Sequence, residues 1–265
     1  MIANVLTIAG TDPSGGAGLQ ADLKTFSALG VYGMSAITAV VAQNTQGVRS
    51  FKTLDTAFVA DQIDAVFEDV TVHAVKIGML ATVELANVVA DRLNHWKPSI
   101  IVLDPVMAAK SGDPLLSPDT IRAIRDRLVP MSSIITPNLP EAGLLLGRPA
   151  PSSLEAMRDM LGSLSELGSP WVLLKGGHLN SPMSTDLLYG QGQTIDLPAP
   201  RLATTHLHGT GCTLAAAVAA LLTRMEMVEA VRQAKAYLHA SLAAADQLDV
   251  GKGKGPVHHF HALWK

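Results

Sequence analysis

The sequence predicts an α/β fold, a three-layer sandwich with a mostly parallel central sheet and helices on both faces. Three observations predict it. Short aliphatic runs alternate along the chain with amphipathic stretches of helical length, the order βαβα repeated. Hydrophobic residues make up 48% of the 265, enough for a core between two helical layers. The strand-like runs are almost continuously apolar, as strands covered on both faces must be. No linker or low-complexity stretch interrupts this pattern, so 1–265 reads as one domain.

Residues 5–9 read as the first strand, running into the glycine-rich loop 10–18. Residues 19–29 form a helix closed by Gly30, since glycine is favoured just past a helix end. Residues 34–41 read as the second strand. Asp55 is placed to cap a helix through Phe67, with Phe58, Val59, Val66 and Phe67 on its apolar face. A strand at 74–77 and a helix at 83–93 follow. Residues 100–103 are apolar throughout, like a central strand. Ser117-Pro118 supplies a cap and a first-turn proline for a helix ending near Leu128. A strand at 134–135 leads to a short helix, 139–146, stopped by Gly147. Residues 153–167 form a helix and 172–174 a strand. Residues 187–197, broken by Gly190-Gln191-Gly192, read as a hairpin. Two helices at 212–222 and 228–248 complete the pattern, and 251–256 reads as a loose loop.

Charge and cysteine content exclude several classes of function. The net charge is −3, the signs are interspersed and no basic stripe appears, which argues against a nucleic-acid surface. The single cysteine, Cys212, forms no internal disulfide and suits a reducing cytoplasm. The first residues lack a basic region ahead of an apolar run, so they do not read as a signal peptide. The longest apolar run, 214–222, is too short to span a bilayer, and no membrane role is expected.

The chemistry concentrates at strand ends. His208-Gly209-Thr210-Gly211-Cys212 is a glycine-rich turn opening a helix, which bares backbone N–H groups at the positive end of the helix dipole. Such a turn binds anions, usually phosphate. Cys212 sits where the anion would sit, and the helix terminus is expected to lower its thiol pKa. In an open sheet the ligand crevice lies beyond the carboxyl ends of the strands. Polar residues recur there in Gln43-Asn44-Thr45, Lys76-Ile77-Gly78-Met79, Asp104-Pro105-Val106-Met107, Thr136-Pro137-Asn138-Leu139-Pro140-Glu141 and Lys175-Gly176-Gly177-His178. The first loop, Gly10-Thr11-Asp12-Pro13-Ser14-Gly15-Gly16-Ala17-Gly18, has neither P-loop nor dinucleotide-fold spacing. Its glycines can let the backbone close over a small substrate. His258, His259 and His261 have the composition of a metal site. No carboxylate or cysteine is spaced to complete one, so they read as packing or surface histidines.

Taken together, these motifs resemble the ribokinase-like superfamily, and within it the hydroxymethylpyrimidine/phosphomethylpyrimidine kinases of thiamin biosynthesis, over essentially the whole chain. The resemblance implies a ribokinase-like fold and two successive ATP-dependent phosphorylations. The first acts on 4-amino-5-hydroxymethyl-2-methylpyrimidine and the second on its monophosphate. It makes Gly209, Thr210, Gly211 and Cys212 the hole for the transferring phosphoryl group, with Cys212 where sugar kinases carry an aspartate base. Asn138 and Glu141 match an Asn-x-x-Glu element that organises Mg²⁺ and its waters, with Asp104 near the same ion. Lys175 would neutralise ATP phosphates, and Thr136 and Gly177 lie toward the nucleotide; Asp186, just before the hairpin, either contacts the nucleotide side or caps its strand. For the pyrimidine, Gln43 and Asp22 are the candidates, because an aminopyrimidine edge offers a donor beside an acceptor. Gly10, Met79 and Val106 would form the walls, and residues 107–115 the lid. Relatives of this branch suggest a homodimer. Pyridoxal kinase is the nearest rival reading, since its substrate is also a flat heteroaromatic with a hydroxymethyl group. A non-catalytic nucleotide-binding protein is the rival of another class.

Overall fold

The computed structural model describes residues 1–107 and 116–264. Its centre is an eight-stranded sheet. The parallel strands are β1 (Asn4–Ala9), β2 (Tyr32–Ile37), β5 (Ala74–Ile77), β6 (Ile101–Leu103), β7 (Ile134–Ile135) and β8 (Trp171–Leu174). The antiparallel hairpin β9 (Asp186–Gly190) and β10 (Gln193–Leu197) completes one edge. Gln191 and Gly192 both take positive φ, 54° and 73°, as a two-residue hairpin turn requires. The strand order is β10-β9-β8-β7-β6-β5-β1-β2.

Side-chain alternation divides the core between the two faces. Leu6, Ile8, Val75, Ile77, Ile101 and Leu103 face the layer made by α2 (Thr56–Asp69), α3 (Val83–Trp96), α4 (Pro118–Ala123), α5 (Leu139–Leu146) and α6 (Leu154–Ser165). Val5, Ala74, Val102 and Ile134 face α1 (Gly18–Ala28), α7 (Thr210–Leu222) and α8 (Met227–Ala243). Helix α7 is buried at every residue from 213 to 221. Its alanines let it lie close to the sheet with α1 and α8 on either side, and a helix apolar all round belongs in such a place.

Four expectations change. Residues 34–41 are not one strand. The Thr38 amide closes the end of the sheet ladder on the Ala9 carbonyl, 3.0 Å, and its hydroxyl donates to the Met79 carbonyl. The chain bends there, and β3 (Ala39–Asn44) leaves the sheet to pair antiparallel with β4 (Gly47–Thr53) in a separate ribbon. Strand β4 is exposed from Val48 to Thr53 and so lacks the apolar alternation that reveals strands. The expected second long helix stops at Ala243, before a short 3₁₀ turn, Ala245–Gln247. The stretch 251–256 is hydrogen-bonded into the fold and is not loose. Helix α4 also widens after Ala123, the Val129 amide reaching back five residues to Ile124.

Candidate active site

Strand β1 is where the order reverses, because the chain runs to β2 on one side and later to β5 on the other. Loops leaving β1 and β5 therefore diverge and open a crevice at the carboxyl ends. A Cβ on Gly10 would lie 2.8 Å from Met79 Cε and 3.7 Å from Val41 Cγ2, so the glycine lets the Met79 and Val41 side chains meet here. The loop after β1 is wound around the buried Asp12. Asp12 Oδ1 accepts from the Ser14 N–H and hydroxyl, and Oδ2 from the Gly16 and Ala17 N–H groups. His208 Nε2 lies 2.7 Å from the same Oδ2. Burial raises the Asp12 carboxyl, but the His208 and Ser14 bonds outweigh it and hold it well below the usual carboxylate range. Gly209, at φ 78°, would place a Cβ 1.7 Å from the Gly16 carbonyl oxygen. The two glycine loops are thus interlocked.

On the α7 side of the sheet, each apolar position gives way to a polar one toward the crevice: Val5 to Thr7, Ala74 to Lys76, Val102 to Asp104, Ile134 to Thr136. Lys76, fully buried, donates to Asp22 Oδ2 at 2.9 Å, and the Thr7 hydroxyl donates to the same oxygen at 2.6 Å. Burial pushes the Lys76 ammonium down, but Asp22, Cys212 and Asp104 outweigh it and raise its pKa. Asp22 moves up because its burial exceeds the pull of Lys76. Lys175 Nζ lies 2.9 Å from Asp104 Oδ1 and 3.9 Å from Glu141 Oε2. Thr136 Oγ1 also donates to Asp104 Oδ1. Asn138 and Glu141 cap α5 reciprocally, each accepting the other's backbone N–H at 2.9 and 2.7 Å. Burial pushes Glu141 up to about 7, against Lys175. The backbone of Gly211 approaches this group, a Cβ there lying 3.5 Å from Asp104 Oδ2 and from Lys175 Nζ.

Cys212, half-buried, stands on the first turn of α7. Burial pushes its thiol up to about 11; Lys76 opposes this, and Asp22 and Asp104 add to it. The expectation of a lowered thiol pKa is therefore overturned. Desolvation and two nearby carboxylates outweigh the helix terminus.

Asp104 and Glu141 are the carboxylates at this crevice that could face a metal. Among the described residues, no group of three or more His, Cys, Asp or Glu side chains could hold one. Two carboxylates with room for waters and phosphate oxygens fit Mg²⁺, which keeps several waters and seldom uses an all-protein cage.

A family model described as phosphomethylpyrimidine kinase matches residues 12–258. The chain belongs to the phosphomethylpyrimidine kinase family. It is 54% identical to the hydroxymethylpyrimidine/phosphomethylpyrimidine kinase of Escherichia coli (strain K12) over 262 residues, 98% of each chain. It is 50% identical to the protein of that name from Rhizobium meliloti (strain 1021), covering all of both chains. Among solved structures, an ADP complex of Bacillus subtilis pyridoxal kinase superimposes with a TM-score of 0.92 at 34% identity, over 99% of each chain. The phosphomethylpyrimidine kinase of Clostridium difficile 630 gives 0.80 at 41% identity, over 89% of this chain and 98% of that one. The ribokinase-like fold expected from the motifs is the fold found. No helix among the described residues is long and apolar enough to cross a membrane.

Within this kinase fold, Gly10 meets Met79 at the switch point, and Asp104, Thr136, Asn138, Glu141, Lys175 and Gly211 form one connected group. Val106, half-buried, turns the chain after β6 through its N–H to the Asp104 carbonyl. Gly177 is exposed, its carbonyl accepting from Arg201. Three assignments shift. Asp22 has no exposed surface, and one carboxylate oxygen is taken by Lys76 and Thr7, so it is first the counter-ion of Lys76. Asp186 accepts from the Gly176 N–H and from Lys235, and so shapes the turn after Lys175. Gln43 stands on the β3–β4 ribbon and not at the end of a sheet strand. Of the expected lid, residues 108–115 lie outside the described residues.

Lys76, Asp12 and His208 were given no role from sequence. The signal for Lys76 was a charge inside Ala74–Ile77, a strand buried at all four positions, which demands a buried partner. His258 and His259 are buried packing residues, His259 Nε2 lying 3.1 Å from Thr213 Oγ1.

Proposed function

We propose that this chain phosphorylates 4-amino-5-hydroxymethyl-2-methylpyrimidine with ATP and then phosphorylates the monophosphate to the diphosphate. The observation that carries this reading is the approach of the glycine-rich start of α7 to the Asp104–Lys175–Glu141 group, beside the switch-point crevice. In the first step the hydroxymethyl oxygen bonds to the γ-phosphorus, the bond to the β–γ bridging oxygen breaks, ADP leaves and the hydroxyl proton passes to solvent. In the second step a phosphate oxygen of the monophosphate takes the attacking role.

Loose phosphoryl transfer needs positioning and charge stabilisation more than prior deprotonation. The N–H groups of Gly211 and Cys212, at the start of α7, receive the transferring group beside Gly209 and Thr210, and Lys175 holds its charge. Cys212 carries its proton at neutral pH, so it orients the attacking oxygen and guides a proton that leaves late. Asp104 and Glu141, with Asn138, would hold Mg²⁺ through water, and the bound ion would offset charge on the phosphates. Thr136 fixes Asp104, Gly177 lies along the phosphates, and Asp186 acts through Gly176. Gln43 reads the aminopyrimidine edge, with Gly10, Met79 and Val106 around the ring. Asp22 acts from beneath through Lys76. A single kinase domain, a cytoplasmic setting and a homodimer belong to the same proposal.

The likeness to Bacillus subtilis pyridoxal kinase favours a second reading, pyridoxal as substrate. Comparing kcat/KM for the pyrimidine and for pyridoxal, with ATP and Mg²⁺ fixed, separates the two. We expect the pyrimidine to be preferred by about tenfold or more, the scale that pocket contacts achieve. A preference for pyridoxal overturns the proposal.

A further inference from the structure

The β3–β4 ribbon is anchored at its root. The Thr11 N–H donates to the Ala39 carbonyl at 2.9 Å, the Val41 N–H to Thr11 Oγ1 at 3.0 Å, and the Leu54 N–H to the Thr38 carbonyl at 2.9 Å. Beyond the root it projects as two strands, with β4 exposed from Val48 onward. A two-stranded ribbon uncovered on its faces is marginally stable and free to twist. On β3, Gln43 lies two residues beyond Val41, just past a bulge that shifts the ribbon's register between Ala42 and Gln43, and bulges re-aim the side chains beside them. Val41 Cγ2 reaches the Gly10–Met79 meeting point. A bulged ribbon of this kind holds Gln43 in one place better when its far end is also fixed.

Residues 251–256 fix it. Thr45, in the turn between β3 and β4, accepts the Lys254 N–H on its carbonyl at 2.9 Å and the Gly253 N–H on Oγ1 at 3.1 Å. A Cβ on Gly251 would lie 2.3 Å from Thr45 Oγ1, and one on Gly253 2.1 Å from the Thr45 carbonyl oxygen. The same segment then reaches α7. The Gly255 carbonyl accepts the His208 N–H at 3.1 Å, and Pro256 pairs with His208 in a parallel bridge. A Cβ on Gly255 would lie 2.0 Å from His206 Nδ1. Alternate glycines in Gly251-Lys252-Gly253-Lys254-Gly255 are thus where the backbone presses against the ribbon turn and then against the residues before α7. Two residues further on, His258 bonds back to the Ser241 carbonyl of α8.

We propose that residues 251–256 are a positioning strap for the substrate, clamping the ribbon turn at Thr45 to the loop before α7 so that Gln43 stays over the crevice. Thr45, Gly251 and Gly253 are its positioning residues. They act through Gln43, and the proposal rests on the reading that Gln43 binds the pyrimidine. The strap joins the side that holds the ring to the side that receives the phosphoryl group, so a slack strap weakens pyrimidine binding and leaves the nucleotide side in place.

The test is steady-state kinetics of the full chain with hydroxymethylpyrimidine, ATP and Mg²⁺, on four single variants and one double variant. Gly253→Ala pushes the strap off Thr45. Thr45→Val keeps the shape and removes the Oγ1 acceptor, and it serves if Gly253→Ala does not fold. Thr45→Ser restores that acceptor. Gln43→Ala tests the underlying reading. We expect Gly253→Ala and Thr45→Val to raise the pyrimidine KM by about five- to tenfold, the scale of a displaced positioning contact, with the ATP KM nearly unchanged. Thr45→Ser stays close to the parent. Added to Gln43→Ala, Thr45→Val has little further effect, as coupled residues behave. If Gln43→Ala raises the pyrimidine KM and the strap variants do not, the strap is overturned and the Gln43 reading stands. If both KM values rise together in the strap variants, their effect is general loosening and the strap is overturned. If Gln43→Ala leaves the pyrimidine KM unchanged, both fall.

Discussion

Cys212 shows how far a residue's surroundings can reverse its sequence-level chemistry. A thiol on a glycine-rich helix start suggests a ready thiolate. Burial with Asp22 and Asp104 nearby pushes it up to about 11 instead. We expect its reaction with iodoacetamide to be slow at neutral pH and to keep accelerating toward pH 11. A rate that levels off near pH 8.5, the ordinary thiol value, contradicts this. Replacing it, Cys212→Ala, should lower kcat by a factor of about 10², the scale of a lost positioning contact, and a near-parental kcat would mean that the cysteine only fills space. Lys76 makes the complementary case. In Lys76→Met the buried Asp22 loses its cation, which should destabilise the fold by about 3–5 kcal/mol in urea denaturation. Adding Asp22→Asn should recover most of that loss, and failure to recover would show that the pair is not the cause. Cys212, Lys175, Asp104 and Glu141 were legible as candidate site residues because each ends a strand or opens a helix. The direction of the thiol shift and the Lys76–Asp22 pair were not, because both depend on groups from different strands and helices meeting in the buried interior.

At the scale of elements, the parallel strands and most helices were legible because both carry their period in apolar residues. The ribbon was not. Strand β4 buries almost nothing and is held by pairing with β3 and by Thr45. Residues 251–256 looked loose for a related reason, since glycines that permit close approach read locally like glycines that permit freedom. Just beyond this segment, His259 packs beneath α7 against Thr213 and accepts the Tyr237 hydroxyl on its carbonyl. Burial, with Lys24 and His258 nearby, lowers its pKa from 6.5 to about 3. As pH falls below 6.5 the unfolded chain takes up a proton that folded His259 refuses. Stability is therefore lost between pH 6.5 and about 3, with a slope of up to about 1.4 kcal/mol per pH unit. We expect His259→Gln to lessen the steepness of that acid loss by about one proton in denaturation series across this window. An unchanged slope would mean that His259 charges in the folded state.

For the whole molecule, the strand order decides where chemistry can happen. The reversal at β1 brings the first glycine loop against the start of α7 through Asp12 and His208. The same sheet face then lines up Lys76, Asp104 and Lys175 with their partners below that helix start. The order of elements was readable from the alternation of strands and helices, and the motifs marked the crevice. Which charged groups pair across it is a property of strand register. In the proposed reaction one crevice phosphorylates the same pyrimidine twice. The most direct measurement follows the phosphorus signals of the purified chain acting on hydroxymethylpyrimidine with ATP and Mg²⁺. We expect the monophosphate first, then the diphosphate at its expense, with one ADP released at each step. Release of ADP without a phosphorylated pyrimidine, or a monophosphate that is never converted, would contradict it.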